Sequence, residues 1–186
     1  EEVSNLARMA HEEGVIDQQE FAIVSNLVSL REMSAREVMT PRRVVFTYPA
    51  TQTVSETLKH GPSKFARVPL VGKSLDEPMG VIHRRELYLA DTQGRGDQAL
   101  CELARPLHAV PETASVQDVL YQFLQRHDHL FLVVDEYGGS AGIITLEDTI
   151  ETILGMEIVD ETDEAADMQD EARKRYASIL RPDQSL

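Results

Sequence analysis

Two residues that follow a short apolar run carry side chains suited to holding a sugar. Thr145 supplies a hydroxyl and Asp148 a carboxylate, three positions apart. At this spacing both groups project from the first turn of a helix, where they could bind the hydroxyls of a ribose. The same spacing is typical of a helix cap, in which Thr145 accepts from a backbone N–H and Asp148 reaches back. Spacing alone leaves both interpretations open.

Other residues with chemical potential form weaker patterns. His127 and His129 are two apart, which suits one face of a strand, and His83 could approach them, but a zinc site needs three or four converging ligands. Arg84 and Arg85 fit a solvated helix start that could receive the phosphate of a second ligand. The sequence offers no nucleophile beside a base, no GxxxxGK phosphate loop and no paired catalytic carboxylates. We therefore expect a binding protein and not an enzyme.

The composition is that of a globular protein with strong negative charge. The chain has 186 residues, 42% of them hydrophobic, which suffices for one domain or two small ones. Its net charge of -14 opposes nonspecific binding of nucleic acid, so no nucleic-acid partner is expected. Cys101 is the single cysteine, which fits a reducing, cytosolic setting. No apolar run reaches the roughly 18 residues needed to cross a bilayer.

Part of the negative charge is concentrated near the end of the chain. Residues 157–171 contain eight acidic side chains and no basic one. We interpret this stretch as a solvated, mobile tail, with a metal-binding carboxylate cluster as the alternative. Because the chain begins at Glu1 without methionine, we expect it to be a piece of a longer protein.

Short patterns predict the elements that position Thr145. Residues 130–134 form an apolar run, residues 135–140 hold two adjacent glycines, and residues 141–144 are apolar again. This order predicts a β-hairpin. Thr145 then ends the second strand and begins a helix, for which Gly155 is the expected stop.

An internal repeat duplicates these elements. Matching residues stand 62 positions apart without a gap: Pro49/Pro111, Thr51/Thr113, Val54/Val116, Glu56/Asp118, Leu58/Leu120 and Gly80-Val81-Ile82/Gly142-Ile143-Ile144. A constant offset indicates two copies of one β-α-β-β-α unit. In each copy a capping pair, Thr53/Glu56 or Ser115/Asp118, begins the first helix, and residues 68–71 or 130–134 form a core strand.

The copies differ where a ligand would bind. At the offset of 62, His83 stands at the position of Thr145 and Glu86 at that of Asp148. The first copy therefore lacks the small hydroxyl, and we expect one good nucleoside site on the second copy's helix and a weak or empty one on the first. The polar residues 91–97 are the expected linker.

Residues 1–38 are predicted to be helical. Val3, Leu6 and Ala10 line one face before Gly14 interrupts the pattern. The pairs Asp17/Glu20 and Ser34/Glu37 begin two further helices, and Pro41 closes the segment. Between them Phe21, Val24, Leu27 and Val28 form an apolar stripe, which we expect to pack within the molecule.

Several runs resemble a known family. GIITLED, residues 142–148, resembles the nucleoside-binding signature of the CBS domain, and residues 133–155 are similar to the second CBS domain of CorC/HlyC-type and cyclin M-type magnesium transport proteins. HEEGVID and REVMTPR resemble the segment that joins the membrane domain to the CBS pair in that family. The resemblance implies an α+β fold of two CBS domains with pseudo-two-fold symmetry, preceded by a helical segment.

The resemblance also implies a ligand and its site. In the family an adenosine phosphate, ATP or AMP, binds where the helix of one copy meets strands of the other, and magnesium accompanies the nucleotide. The corresponding residues here are Thr145, Asp148, Arg67, Ala66, Val68, Pro69, Phe65, Ile143 and Val45. Arg67 could pair with phosphate. Phe65 and Ala66 replace the tyrosine and the hydroxyl residue usual in the family, which removes hydrogen-bonding groups.

We therefore expect the cytosolic regulatory part of a membrane protein for magnesium or cobalt export, which forms homodimers and attaches to a membrane domain of the same chain. The expected divisions are a helical lead-in at 1–34, CBS domains at 35–90 and 101–156, a linker at 91–100 and an acidic tail at 157–186. Two alternatives are an AMP-sensing CBS module of an enzyme and a dimerisation module that binds no ligand.

Overall fold

The computed structural model describes residues 2–156. The acidic tail predicted from residue 157 onward lies outside the described residues. The chain is mixed α and β, and it divides into two compact units, one containing residues 2–39 and 110–156 and the other Thr40–Ala109. Each unit has a hydrophobic core of its own.

The elements of the chain alternate as the repeat predicts. The helices are α1 (Glu2–Glu12), α2 (Gln18–Ser29), α3 (Ala35–Val38), α4 (Val54–Lys59), α5 (Arg84–Thr92), α6 (Leu100–Leu103), α7 (Val116–Arg126) and α8 (Leu146–Leu154). The strands are β1 (Thr40–Pro41), β2 (Tyr48–Pro49), β3 (Arg67–Val71), β4 (Pro78–His83), β5 (Ala109–Pro111), β6 (Leu130–Val134) and β7 (Ser140–Thr145). The order β2-α4-β3-β4-α5 recurs as β5-α7-β6-β7-α8, which confirms the duplicated β-α-β-β-α unit.

In the unit of the first copy, β3 lies between β2 and β4. It is parallel to β2 and antiparallel to β4, with Val68 opposite Ile82. Helices α4 and α5 cover the sheet, and the core is formed by Tyr48, Ala50, Val54, Val68, Leu70, Ile82, Leu87, Ala90 and Leu100. Val68 and Leu70 are two positions apart on β3 and so lie on the same face of the sheet, and Ile82 lies opposite Val68.

In the unit of the second copy, β6 lies between β5 and β7. β6 and β7 form the predicted antiparallel hairpin, with Phe131 opposite Ile144. The Phe131 ring stacks on that of Phe123 from α7, with centroids 4.1 Å apart. The core consists of Leu30, Ala35, Val38, Val110, Val116, Val119, Phe123, Phe131, Val133 and Ile144.

Strand pairing corrects one detail of the repeat. Arg67 lies opposite His83, whereas Leu130, 63 positions further along, lies opposite Thr145. The second copy therefore has one more residue before its middle strand and one fewer in its hairpin turn, and the flanking elements keep the offset of 62. Because the extra residue before the strand and the missing residue in the turn offset each other, the two copies align in sequence without a gap.

The N-terminal helices belong to the unit of the second copy. Asn26 Nδ2 in α2 donates to the Ile153 carbonyl in α8 at 3.1 Å. Two backbone bonds tie α3 to the segment after β5: Ala35 N–H to the Ala114 carbonyl at 2.8 Å and Arg36 N–H to the Glu112 carbonyl at 3.0 Å. The N-terminal helices therefore pack against the second copy, although the first copy is the one that follows them directly in the sequence.

The apolar faces of these first helices are buried less than predicted. Val3 and Leu6 are 58% and 70% exposed, and Ala7 is the buried residue of α1. In α2 the predicted stripe is half-buried at Phe21, while Leu27 is 53% exposed. The predicted capping pair Asp17/Glu20 is present, with reciprocal bonds of 2.8 Å. Local capping chemistry was therefore easier to predict than long-range packing.

Candidate functional site

Thr145 and Asp148 lie where the sequence predicts, at the junction of β7 and α8. Thr145 is the N-cap residue of α8, and its Oγ1 accepts from the Asp148 N–H at 3.1 Å. The Asp148 carboxylate accepts from the Thr145 N–H at 2.9 Å. These reciprocal bonds form a capping box, so the capping interpretation is confirmed.

The cap leaves both side chains with bonding capacity. The Thr145 hydroxyl uses an oxygen lone pair in the cap and keeps its own proton to donate, and a carboxylate can accept about four hydrogen bonds. Asp148 is only 5% exposed, although it is an acidic residue in the first turn of a helix. A buried carboxylate needs hydrogen-bond donors or positive charge around it. Capping and ligand binding by this pair are therefore compatible.

The first-copy residues predicted to contact a nucleotide lie at the start of β3, in the other unit. Phe65 and Ala66 precede the strand, and the Ala66 carbonyl accepts from the Arg84 N–H at 2.9 Å. Arg67 opens the strand and is half-buried, while Val68 is 2% exposed and belongs to the core. Pro69 is buried as well.

The structure thus brings the predicted residues together in two sets. Thr145, Asp148 and Ile143 belong to the unit of the second copy, where Ile143 is fully buried in β7. Phe65–Pro69 and Val45 belong to the unit of the first copy, and Val45 is half-buried. Their assembly into one nucleotide site stays a prediction.

An aromatic cluster beside Val45 was not singled out from the sequence. The Phe46 ring lies edge-on to that of Tyr48, with centroids 5.1 Å apart, and 6.1 Å from the ring of Phe65. Tyr48 Oη accepts from the Ser63 N–H at 2.7 Å, and burial raises the pKa of this phenol. The alternation Phe46-Thr47-Tyr48 is the signal that could have indicated it, because alternate residues of an extended segment share a face.

His83 replaces the cap residue in the first copy, and the hydrogen-bonding pattern changes with it. Within residues 2–156 its side chain makes no capping bond to α5. Glu86, at the position of Asp148, instead pairs with Arg105 Nη2 at 3.1 Å. Burial, with the nearby Arg67 and Arg105 guanidinium groups, lowers the pKa of His83, and Glu86 opposes this effect. Comparison of the two copies in the sequence showed that His83 stands at the position of Thr145. It did not indicate that Glu86 pairs with Arg105.

The histidine pair has a different geometry from the one predicted. His127 ends α7 in the left-handed conformation with φ of 58°, and β6 begins only at Leu130. His127 and His129 therefore do not share a strand face. Over the part of the chain that the structure describes, no group of three His, Cys, Asp or Glu residues is arranged to hold a metal ion.

Helix lengths bear on the relation to a membrane. Among the described residues, none of the helices combines the length and the apolar character that a bilayer crossing requires.

The fold and the Thr145–Asp148 pair together define a tandem CBS module. Residues 101–155 match the family model described as the CBS domain. A UPF0053 protein of Synechocystis sp. is 38% identical over 181 residues, which cover 97% of this chain and 52% of that protein. The chain spans about half the length of the curated relatives it matches, or less.

Similarity to solved structures identifies the family to which the chain belongs. The CBS domain of a bacterial CNNM/CorC family Mg2+ transporter, in complex with the inhibitor IGN95a, is 31% identical with a TM-score of 0.79, and the match covers 86% of this chain and 98% of that one. The chain belongs to this CNNM/CorC family, as its CBS-domain part. A second solved structure described as the CBS domain of a bacterial CNNM/CorC family Mg2+ transporter is 32% identical with a TM-score of 0.76.

Two structural relatives contain nucleotides. A CBS domain of a bacterial CNNM/CorC family Mg2+ transporter in complex with ATP is 31% identical with a TM-score of 0.69, covering 75% of this chain and 99% of that one. A CBS-domain pair from Klebsiella pneumoniae with bound AMP is 27% identical with a TM-score of 0.56, covering 66% and 99%.

Proposed function

We propose that this module binds ATP together with magnesium and regulates a membrane protein that exports magnesium or cobalt. In this proposal it lies on the cytosolic side of the membrane, attached to a membrane domain. The observation that supports it most is the ATP complex of a family member that matches 75% of this chain at 31% identity. The described Thr145–Asp148 pair supplies groups of the right type for a ribose.

Thr145 and Asp148 would hold the ribose. Both are fixed by the capping box, so little side-chain freedom is lost when a ligand binds. The low exposure of Asp148 means that a ribose hydroxyl would donate to a carboxylate shielded from water, where the hydrogen bond is stronger. Preorganisation and shielding both favour binding at this position.

Charge must be balanced around the phosphates. The chain has a net charge of -14 and ATP is itself an anion. Magnesium bound to the phosphates and the guanidinium of Arg67 would offset the repulsion. Phe65 and Ala66 offer no side-chain hydroxyl where the family usually has one, so we expect a weaker affinity than in members that keep both hydroxyls.

A contact within the unit of the second copy connects the proposed nucleotide site with the N-terminal helices. α8 carries Asp148 in its first turn. Near its other end, the Ile153 carbonyl accepts a hydrogen bond from the Asn26 side chain. A nucleotide that favours one position of α8 would therefore also favour one position of α2. Binding can shift such an equilibrium only by its differential affinity for the two arrangements.

The test is calorimetric titration of the chain with ATP, with and without magnesium, and with AMP, repeated on Asp148→Ala. We expect magnesium-dependent ATP binding, and a loss of about 1.5–3 kcal/mol in the variant, roughly ten- to a hundredfold in affinity. The matched control is Glu56→Ala, which removes the same type of capping bond, from the Thr53 N–H at 2.8 Å, at the start of α4.

Glu56→Ala should leave ATP affinity unchanged. If the wild-type chain binds no nucleotide, or if both variants bind ATP like the wild type, the proposed function is wrong. Tight AMP binding that does not need magnesium would instead favour an AMP sensor, the alternative that the AMP-bound relative supports. A chain that sediments as a dimer yet binds no nucleotide would support a pure dimerisation module.

A further inference from the structure

The one-turn helices α3 and α6 each pack in the unit of the copy that they do not precede. α3 comes before the first copy in the sequence and belongs to the unit of the second, whereas α6 comes before the second copy and belongs to the unit of the first. Ser34 at the start of α3 forms an antiparallel bridge with Ser115 at the start of α7. Ala99 at the start of α6 forms the same kind of bridge with Thr53 at the start of α4. Each short helix is therefore attached in the same way to a longer helix of the other copy.

Backbone hydrogen bonds around each bridge use N–H groups that helix starts leave without a partner. The first four N–H groups of an α-helix have no acceptor within the helix. At both bridges the first two N–H groups of each helix donate to carbonyls that precede or begin the other helix. We call the resulting sets the α3 clasp and the α6 clasp. The α3 clasp joins Ala35 to Ala114, Arg36 to Glu112, Val116 to Met33 and Gln117 to Leu30 at 2.8–3.3 Å, and the α6 clasp joins Leu100 to Gln52, Cys101 to Ala50, Val54 to Gln98 and Ser55 to Gly96 at 2.8–3.0 Å.

A charged pair distinguishes the α3 clasp from the α6 clasp. Arg36 Nη1 lies 3.0 Å from Glu112 Oε1, and the Glu112 side chain is only 9% exposed. The same two positions of the α6 clasp hold Cys101 and Ala50, and alanine offers no side chain for an ion pair. A carboxylate so shielded from water depends on its partner, because a buried charge left unpaired costs more than an exposed pair gains. The ion pair therefore locks the α3 clasp.

The clasps also differ in how their two halves are connected along the chain. Both halves of the α6 clasp lie within residues 40–109, a continuous stretch that forms one unit. The two halves of the α3 clasp are separated in the sequence by the whole of that stretch. Opening of the α3 clasp therefore does not require residues 40–109 to unfold, whereas opening of the α6 clasp disrupts that unit from within.

The N-terminal helices are held chiefly at the α3 clasp. α1 buries a single residue, and α2, which is described over its full length, contains no buried residue. Leu30, Ala35 and Val38, in or beside the clasp, belong to the core, and the Asn26 bond to Ile153 adds a contact with α8. Segments with few buried apolar contacts open at a lower free energy than the core around them. Residues 2–39 should therefore be released together when the clasp opens.

We propose that the α3 clasp is a releasable joint between the N-terminal helices and the second copy, and that the Arg36–Glu112 ion pair locks it. In the open form the N-terminal helices leave the second copy, while residues 40–109 and the α6 clasp stay folded. The N-terminal helices thus respond to the second copy and not to the first copy, which follows them directly in the sequence. The inference does not depend on nucleotide binding, because its test contains no nucleotide.

The experiment measures amide hydrogen exchange of the full chain by NMR, residue by residue, in the wild type and in Arg36→Gln. The four donor amides of the α3 clasp should share one opening equilibrium in the wild type, with less protection than those of the α6 clasp. In Arg36→Gln their protection should fall about tenfold, and the α6 clasp should keep its protection. Raising the salt concentration should weaken protection of the α3 clasp in the wild type but not in Arg36→Gln, because salt screens the ion pair.

A second variant separates the ion pair from a general loss of stability. Arg36→Gln combined with Glu112→Gln removes both charges and leaves side chains that can still bond to each other, so it should recover most of the lost protection. The matched control is Arg42→Gln, which removes an exposed ion pair with Asp76, 2.6 Å from Nη2 to Oδ2, within the other unit. It should leave the α3 clasp unchanged.

Three results would overturn the proposal. The first is equal protection of the two clasps in the wild type, because the α3 clasp would then open only when the whole chain unfolds. The second is a loss of protection in Arg36→Gln that is as large in the α6 clasp as in the α3 clasp. The third is a loss in the α3 clasp of Arg42→Gln that equals the loss in Arg36→Gln.

Discussion

At the scale of single residues, the second-copy pair Thr145 and Asp148 performs a structural task at the start of α8. The capping box holds both side chains in place, and Asp148 is nearly buried. In the first copy His83 and Glu86 occupy the equivalent positions, and Glu86 pairs with Arg105 instead of capping the helix. The same backbone unit therefore presents two different kinds of chemistry.

The Gly80 backbone gives a prediction about stability. Gly80→Ala should destabilise the chain by about 2–3 kcal/mol, since it combines an unfavourable φ with a contact on the Arg105 carbonyl. Gly138→Ala is the control, because its φ is +79° but a Cβ there would meet nothing within 4 Å. Gly138→Ala should lower the free energy of unfolding by only about 1 kcal/mol. Urea unfolding of the two variants measures the difference, and equal losses would contradict the assigned role of the Gly80 contact.

The His83 ring gives a prediction about pH. Because its pKa is lower in the folded chain than the usual value of about 6.5, the unfolded chain binds more protons in that range. Stability therefore increases with pH there and decreases as the pH falls below about 6.5.

His83→Gln should flatten this dependence when urea unfolding is compared at pH 7.5 and 5.5. An unchanged slope in His83→Gln would show that protonation of this ring has no effect on folding.

At the scale of elements, the lead-in and α8 form a connected structure. The Asn26 side chain donates to the Ile153 carbonyl in the last turn of α8, and a Cβ on Gly155 would lie 3.0 Å from Asn26 Nδ2. Helix C-terminal carbonyls need such partners because they have none within the helix. This contact links α2 to the helix that bears Asp148.

Asn26→Ala should loosen that connection. We expect the free energy of unfolding to fall by about 1 kcal/mol. Amides in α2 and in the last turn of α8 should exchange hydrogen faster. Asn5→Ala, on the exposed side of α1, removes only a local bond to Arg8 and should leave exchange in α8 unchanged. Equal exchange in both variants would mean that the Asn26 bond does not couple the two helices.

At the scale of the whole molecule, the proposed function connects ligand binding with stability. A ligand that binds only the folded chain stabilises it by about 2.7 kcal/mol at a concentration a hundredfold above Kd. ATP with magnesium should therefore raise the unfolding temperature of the wild type, as measured by calorimetry. Asp148→Ala should lose this shift and Glu56→Ala should keep it. A shift of equal size in both variants would place the nucleotide away from α8.

The sequence by itself determined the local elements and the repeat. The β6–β7 hairpin, the capping pairs of α2, α4, α7 and α8, and the stop at Gly155 all follow from interactions within a few residues. The β-α-β-β-α repeat follows from matches at a fixed offset, and the CBS resemblance agrees with the solved relatives. Interactions of this kind can be predicted because the residues that make them are close together in the chain.

Only the tertiary structure decided which distant segments meet. It packed α2 against α8, although 127 positions separate Asn26 from Ile153. It brought Arg105 beside His83 through backbone pairing with Val81, and it shifted the middle strand of the second copy by one residue. These arrangements depend on shape and backbone pairing between remote segments, for which a local sequence pattern carries no signal. The Thr145–Asp148 cap was therefore predictable from spacing, whereas the position of Arg105 beside β4 became visible only in the fold.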